Sequence, residues 1–412
     1  MKKIVLACFW NQETNCGDKS YIETFCELIR QYSSDVSVSL CDFYARPQGE
    51  ASFEPGHKEK TTFKERIANL LPRFLFKWIR NFRKYRRIRK YYEKKLEGAD
   101  ALIIPGGGLI EYSSWRDYYL LMEMLEDICS RRGIPVFLNS LGYVENEDPA
   151  FWIQRWGGVL NAPCVKHFTC RDNLPFFQKL TDRVSQVPCM ACLAKEALGI
   201  HSESRADNNT VGIGLMRYDC YSDYGNEIDK AFVVNYYVDV IVELRRLGYN
   251  VALFSVGVMR DHIMGDEILR CMQERQISRE GVNLLPRPVK VRTLLEQIAQ
   301  FRGILTVRTH SAYAAFSLNV PAVMIYFGTR GWSGKSNEFM KMVGRPENAI
   351  CCDNVSPAEL AAKFKEAMDE GWNQEVRREK RQLSWRNFVA IMDKIGIKQD
   401  PGSNLSVEVF GE

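Results

Sequence analysis

Two doubly wound α/β units in succession, facing one another across a cleft, are the fold this sequence predicts. Three observations predict it. Short apolar runs alternate with helix-like segments along most of the chain. The runs are rich in Val, Ile and Leu without strict polar alternation. One polar stretch, HSESRADNN (201–209), divides the series in two. Apolar runs of this kind belong to parallel strands whose sheet is covered on both faces. The length of 412 residues also exceeds what one ordinary core accommodates.

The first unit, residues 1–200, is expected to have strands at 3–9, 36–40, 100–104, 134–141, 166–170 and 184–188. Helices are expected between them at about 19–32, 63–97, 115–131 and 149–160. Residues 201–209 read as a linker. The second unit, 210–372, has the strand-like runs TVGIGLM, NVALFSV, VNLLP, ILTV, AVMIY and AICC. Its helices are expected near 228–247, 262–276, 291–300, 311–318, 335–343 and 356–370. A last helix, about 373–395, and an unpatterned tail complete a terminal segment, 373–412.

Composition narrows the function classes. A net charge of +5 is too small by itself to indicate a nucleic-acid partner. The opening MKKIVLACFW breaks at NQETN and fits a buried strand better than a signal peptide, and no apolar window approaches a membrane span. Thirteen cysteines read as free thiols of a cytoplasmic chain. The pair Cys189 and Cys192, with Cys164 and Cys170 upstream, is a candidate zinc site, but its spacing does not match the usual knuckle pairs, and buried thiols are the expectation.

Ligands of open α/β sheets sit beyond the carboxyl ends of the strands. After the first strand come Asn15, Gly17 and Asp18, with Asp18 expected to cap a helix from Lys19 and Gly17 to allow a tight turn. After 100–104 come Gly106, Gly107 and Gly108, which would let a ligand approach the backbone. Neither loop has the dinucleotide or P-loop spacing, so no nucleotide cofactor is expected. In the second unit, Arg217 closes one strand, and Arg308 and His310 follow another. Residues two apart in an extended chain face the same way, so Arg308 and His310 should point together into the cleft, with Arg217 on the same wall. Arginine forks suit carboxylate and phosphate oxygens, and a histidine beside them moves protons near neutral pH. Ion pairing of these arginines with carboxylates of the first unit is the structural alternative.

Over residues 4–330 the chain resembles the polysaccharide pyruvyl transferase family. The resemblance rests on Asn15, Gly17 and Asp18, the loop Gly106–Gly108, the pair Arg171 and Asp172, Arg217, and Arg308-x-His310 followed by a helix and Pro321. It implies a GT-B-like fold and transfer of pyruvyl from phosphoenolpyruvate to two hydroxyls of a sugar, as a cyclic ketal. His310 would be the general acid/base, Arg308 would bind phosphoenolpyruvate, and Arg217 would be a second anion ligand. Where many members carry a lysine, about twenty residues beyond the histidine, this chain has Arg330, with Lys335 five further on. Arginine keeps the charge but does not serve as a proton donor. The alternatives are a glycosyltransferase using a nucleotide sugar and a non-catalytic subunit of polysaccharide assembly. An intact Arg308/His310 pair argues against the latter.

Residues 71–95 carry a further expectation. Leu71, Phe74, Trp78, Phe82, Tyr85, Ile88 and Tyr92 recur at spacings of three and four, while residues 73–95 hold eleven Lys or Arg and one Glu. Packing of the stripe on its own unit is one reading. The one-sided charge points instead to an anionic membrane surface, on the inner face of the cell membrane, where a lipid-diphosphate-linked acceptor would be met.

Overall fold

The computed structural model describes residues 1–9, 15–45, 73–110, 118–143, 150–200, 209–222, 226–329 and 332–410. The expected linker lies outside the described residues except for position 209, as do Arg330 and the 63–72 part of the basic helix.

Two parallel sheets form the frame. The first comprises β1 (Lys2–Cys8), β2 (Val36–Asp42), β3 (Ala101–Ile104), β4 (Gly107–Ile110), β5 (Val136–Tyr143), β6 (Val165–Cys170) and β7 (Val184–Gln186), in the order β2-β1-β3-β5-β6-β7, with β4 also on β5. The second comprises β8 (Thr210–Gly214), β9 (Asn250–Phe254), β10 (Val282–Leu284), β11 (Ile304–Thr306), β12 (Ala322–Tyr326) and β13 (Ala349–Cys351), in the order β10-β9-β8-β11-β12-β13. Successive side chains of a strand point to opposite faces, and both faces are buried. Ile4, Leu6 and Cys8 enter one core while Val5 and Ala7 enter another. β12 divides likewise, with Ala322 and Met324 on one side and Val323 and Ile325 on the other.

The inner faces of the two sheets contribute to one continuous cluster, in which Leu6 and Phe25 of the first unit join Phe254, Ile304 and Met324 of the second. The units are therefore fastened behind the cleft by a shared apolar core. The helix Gln374–Ile395 contributes Trp385, Phe388, Ile391 and Met392 to that core. The terminal segment is not an appendage, because Phe410 stacks on Trp385 with ring centroids 4.8 Å apart.

The same helix grips the helix Thr309–Ser317. Arg377, buried, donates from Nε to the Phe316 carbonyl (2.9 Å) and from Nη2 to the Ser317 carbonyl (2.8 Å). These are carbonyls at a helix C-terminus, where a cation is favoured. Arg377→Ala would leave the Ser317 carbonyl without this donor and the Phe316 carbonyl with only backbone amide donors such as that of Asn319. A stability loss of about 1–3 kcal/mol is expected, read as a lower denaturant midpoint.

The basic helix runs Arg73–Lys95. Its described half corrects the reading of the aromatic stripe as a membrane face: Ile88 and Tyr92 are fully buried in the first unit's own core, and Tyr92 Oη donates to the Asp42 carbonyl at 3.2 Å. Acids answer part of its charge, since Arg89 pairs with Glu93 of the same helix and with Asp127 of the helix Tyr118–Arg132.

Candidate functional site

The helix that follows β1 runs Cys16–Tyr32, and its N-cap is Asn15. The Asn15 side chain accepts from the Asp18 amide at 3.2 Å and donates to Asp18 Oδ2 at 2.7 Å. This corrects the expectation that Asp18 caps a helix from Lys19. Asp18 lies in the first turn, and its carboxylate is turned to the second unit. Gly17 is likewise not a turn residue. A Cβ there would lie 3.1 Å from His310 Cβ, so its bare backbone is what lets the His310 helix come this close. In Gly17→Ala the new Cβ would crowd the Asn15 cap oxygen and His310 Cβ alike, each at 3.1 Å. The expected result is reduced turnover with a modest fall in thermal stability.

β11 ends at Thr306, and Arg308 is the N-cap of the helix carrying His310. The expectation that Arg308 and His310 point the same way as strand neighbours is therefore corrected. His310 projects from a first helical turn toward the first sheet, while Arg308 turns back into its own unit. His310 Nδ1 is 3.0 Å from Asp18 Oδ1, and Nε2 is 3.1 Å from Arg171 Nη1. A guanidinium only donates, so Nε2 accepts from Arg171 and the imidazole proton sits on Nδ1, donated to Asp18. Burial lowers the His310 pKa. Asp18 opposes this, Arg171 and Lys335 reinforce it, and the net direction is below the ordinary value, which keeps the ring neutral. Burial raises Asp18, but its hydrogen bond with His310 and the charges of Arg308 and Arg171 outweigh that and hold the carboxyl below its usual range.

Arg171 follows β6 and is 4% exposed. Its Nε donates to Asp172 Oδ2 at 3.1 Å, and Asp172 Oδ1 accepts the Tyr143 amide at 2.7 Å. Burial works against the Arg171 charge, but the Asp172 carboxylate prevails and its pKa is raised. Gly142 makes room for this side chain, because a Cβ there would meet Arg171 Nε at 2.7 Å.

The glycine run divides by role. At Gly106 and Gly107, with φ of +147° and +114°, a Cβ would meet the Tyr21 ring at 3.2 Å and its hydroxyl at 3.1 Å. Those two positions accommodate Tyr21 rather than a ligand, which corrects the expectation for them, and Gly107 and Gly108 begin β4 rather than a loop. Gly108 alone faces cations: its Cβ position is 3.7 Å from both Arg171 Nη2 and Lys335 Nζ. Backbone bareness there does leave space between two positive charges.

Arg308 is paired within the second unit. Its Nε donates to Asp261 Oδ2 at 2.9 Å and its Nη2 to Asp261 Oδ1 at 2.6 Å, while the Arg217 amide donates to Oδ1 at 2.9 Å. The carboxylate partner thus comes from the helix Met259–Glu274 of the same unit, not from the first. The Arg217 side chain lines a depression with Lys230 and Arg260, and that depression shares no lining residue with the one holding Lys335. The single wall expected for Arg217, Arg308 and His310 resolves into two groups, one joined by Asp261 and one by Arg171. Asp261 escaped the sequence reading. Its only signal was an acid in the first turn of the helix after β9, where nothing marks its partner. Among the described residues no three or more His, Cys, Asp or Glu gather as metal ligands. Cys192 contacts Ser384 Oγ at 3.2 Å, and Cys164 the Glu126 carbonyl at 3.9 Å.

The sequence model described as "Polysaccharide pyruvyl transferase" matches residues 15–328. No curated protein matches the chain. Among solved structures, UDP-GlcNAc 2-epimerase from Methanocaldococcus jannaschii is similar at 14% identity and a TM-score of 0.54, over 96% of this chain and 100% of that one. The ADP-heptose lps heptosyltransferase II of E. coli matches at 15% identity and a TM-score of 0.41, over 90% of this chain and 99% of that one. At these identities the likeness concerns the fold alone, and that fold is of the GT-B type. The family match is of another kind: it opens on the residue that caps the Asp18 helix and runs past β12, taking in Asp18, Arg171 and His310 and ending just short of Lys335, and the chain belongs to the polysaccharide pyruvyl transferase family.

Proposed function

We propose that this chain transfers the pyruvyl group of phosphoenolpyruvate to two hydroxyls of one sugar, forming a cyclic ketal and releasing phosphate. The observation that carries the reading is His310, held neutral in one tautomer between Asp18 and Arg171, with Lys335 close by. Arg171 and Lys335 suit the carboxylate and phosphate of the donor. When a donor anion draws Arg171 off, the Nε2 lone pair is released to take a proton from a sugar hydroxyl. That oxygen bonds to C2 of phosphoenolpyruvate as C3 gains a proton and becomes a methyl group. The C2–O bond to phosphate then breaks, and the second hydroxyl closes the ring as its proton passes to phosphate. One hydroxyl proton ends on carbon and one on phosphate, so the step balances. Cations beside the departing phosphate stabilise its developing charge. Arg308, tied to Asp261, acts through its field and by fixing the start of the His310 helix, and Arg217 shares that anchor. Asn15 holds Asp18. Arg330 remains a candidate for the charge that many members place as lysine.

The test is incubation of purified protein with phosphoenolpyruvate and a panel of lipid-linked and free saccharides. Phosphate release matched by a mass gain of one pyruvyl ketal is the expected result. Phosphate release without ketal, or no reaction across the panel, would overturn the reading.

The acceptor side is proposed to meet an anionic membrane surface through charge rather than insertion, since Ile88 and Tyr92 are occupied in the core. Arg86, Arg87 and Lys90 are exposed on the helix. Each is worth about 1 kcal/mol near anionic lipid, so replacing all three by Gln should weaken vesicle binding by roughly a hundredfold. Salt should abolish the binding of the wild type, and equal partitioning of the two proteins would remove the membrane surface from the account.

A further inference from the structure

Beside the His310–Arg171 pair lies a depression of about 290 Å³ lined by Tyr143, Asp172, Asn173, Lys335, Asn337 and Glu338. Both units build it, for Asn173 follows β6 while Glu338 comes from the helix Trp332–Met342, and the Asn173 amide donates to Glu338 Oε2 at 3.0 Å. We propose that this depression seats the acceptor: a single neutral pyranose ring, held with its reacting hydroxyls toward His310. The link to ketal chemistry rests on the function proposed above; the binding of a sugar does not.

Four features favour a sugar ring over the other ligands of this reaction. Asp172 connects the depression to the site directly, through its bond to Arg171, and Lys335 borders both. The size stands at the lower edge of the roughly 300–1,000 Å³ usual for ligand pockets, which suits one ring better than a nucleotide sugar. Its charges offset, since Asp172 is paired with Arg171 and Glu338 stands against Lys335, so a multiply anionic donor is better served by the cations around Gly108. Lastly, its polar groups are carboxylates and amides, which take hydroxyl hydrogens and offer N–H groups to hydroxyl oxygens. A site built this way rejects ligands lacking those hydroxyls.

Tyr143 adds a flat apolar wall. It stacks on Phe176 with centroids 3.7 Å apart and planes 4° from parallel, so the ring is braced before any ligand arrives. A braced aromatic face is suited to the C–H face of a pyranose.

The experiment uses the full chain and the methyl glycosides of galactose, glucose, mannose and N-acetylmannosamine as probes, with saturation-transfer NMR. Phosphoenolpyruvate affinity is measured separately by calorimetry. At least one glycoside should receive saturation from the wild type. Asn337→Ala/Glu338→Ala should weaken that glycoside at least tenfold while leaving phosphoenolpyruvate affinity within twofold. Should the double variant unfold, Asn337→Lys, at an exposed position, fills the depression from its rim and should abolish glycoside binding. No transfer to any glycoside, or wild-type binding by the folded variants, overturns the proposal. Glycoside binding without phosphoenolpyruvate binding would instead support this site and count against the function proposed above.

Discussion

Replacing His310 by Ala should lower ketal formation by about 10²–10⁴-fold, the usual contribution of one positioned acid/base group. The side chain is 13% exposed and stands in the first turn of a helix, so alanine maintains the helix and the thermal transition should move little. Phosphate release from phosphoenolpyruvate, measured with a melting curve on the same sample, checks both halves of the expectation. A variant that retains near-full activity would take proton transfer away from this residue.

Asp18→Asn should cost a comparable factor, on the order of 10²–10⁴, by a different route. The carboxylate now accepts the Nδ1 proton and leaves Nε2 as the base. A carboxamide can present its own N–H to Nδ1, which moves the imidazole proton to Nε2, against the Arg171 donor. The volume is nearly unchanged, so the loss should appear in kcat with little change in stability. The pH dependence separates this from simple misfolding. Burial, Arg171 and Lys335 depress the His310 pKa while Asp18 raises it, so the acid limb of the wild-type profile should fall below the ordinary histidine value of about 6.5. Removing Asp18 should move that limb lower still, and an upward shift would contradict the electrostatic account. Linkage gives the matching sign for stability. The unfolded state binds the His310 proton first on acidification, so this group's contribution is present above the ordinary histidine pKa and is lost as pH falls toward the depressed one.

Much of this molecule is legible in its sequence where the signal is local. Runs such as NVALFSV and AVMIY became β9 and β12 because consecutive apolar residues fit only a strand covered on both faces. Asp18 and His310 drew attention because they follow strand ends, and Arg171 and Lys335 through the family resemblance; the fold brings the four side chains near one another. What the sequence leaves out concerns partners distant in sequence. Nothing near Arg308 marks its carboxylate, Asp261, 47 residues earlier. The helix after β1 begins at Cys16 rather than Lys19 because the Asn15 cap and a bond from the Cys16 amide to the Val256 carbonyl (2.8 Å) set its start, and only the first is visible locally. β4 was missed because Gly107 and Gly108 read as punctuation, whereas pairing with β5 makes them strand. The tail seemed patternless, yet Leu405 and Phe410 are buried in the core that both units share, Phe410 against Trp385.

The division of labour among the glycines bears on how relatives of this chain are to be read. Gly106 and Gly107 answer to Tyr21, a matter of folding, so a descendant that had abandoned catalysis would still be obliged to keep them as long as it kept the tyrosine. Gly108 answers to the two cations, whereas Gly17 answers to helix packing as well, because a Cβ there would crowd Asn15 Oδ1 and the Cβ of whatever residue stands at 310. The pair Gly106 and Gly107 is therefore a marker of architecture. On the function proposed above, the joint presence of Asp18 and Gly108 with a histidine one residue past an N-cap arginine-threonine step is what would distinguish a relative able to carry out the transfer.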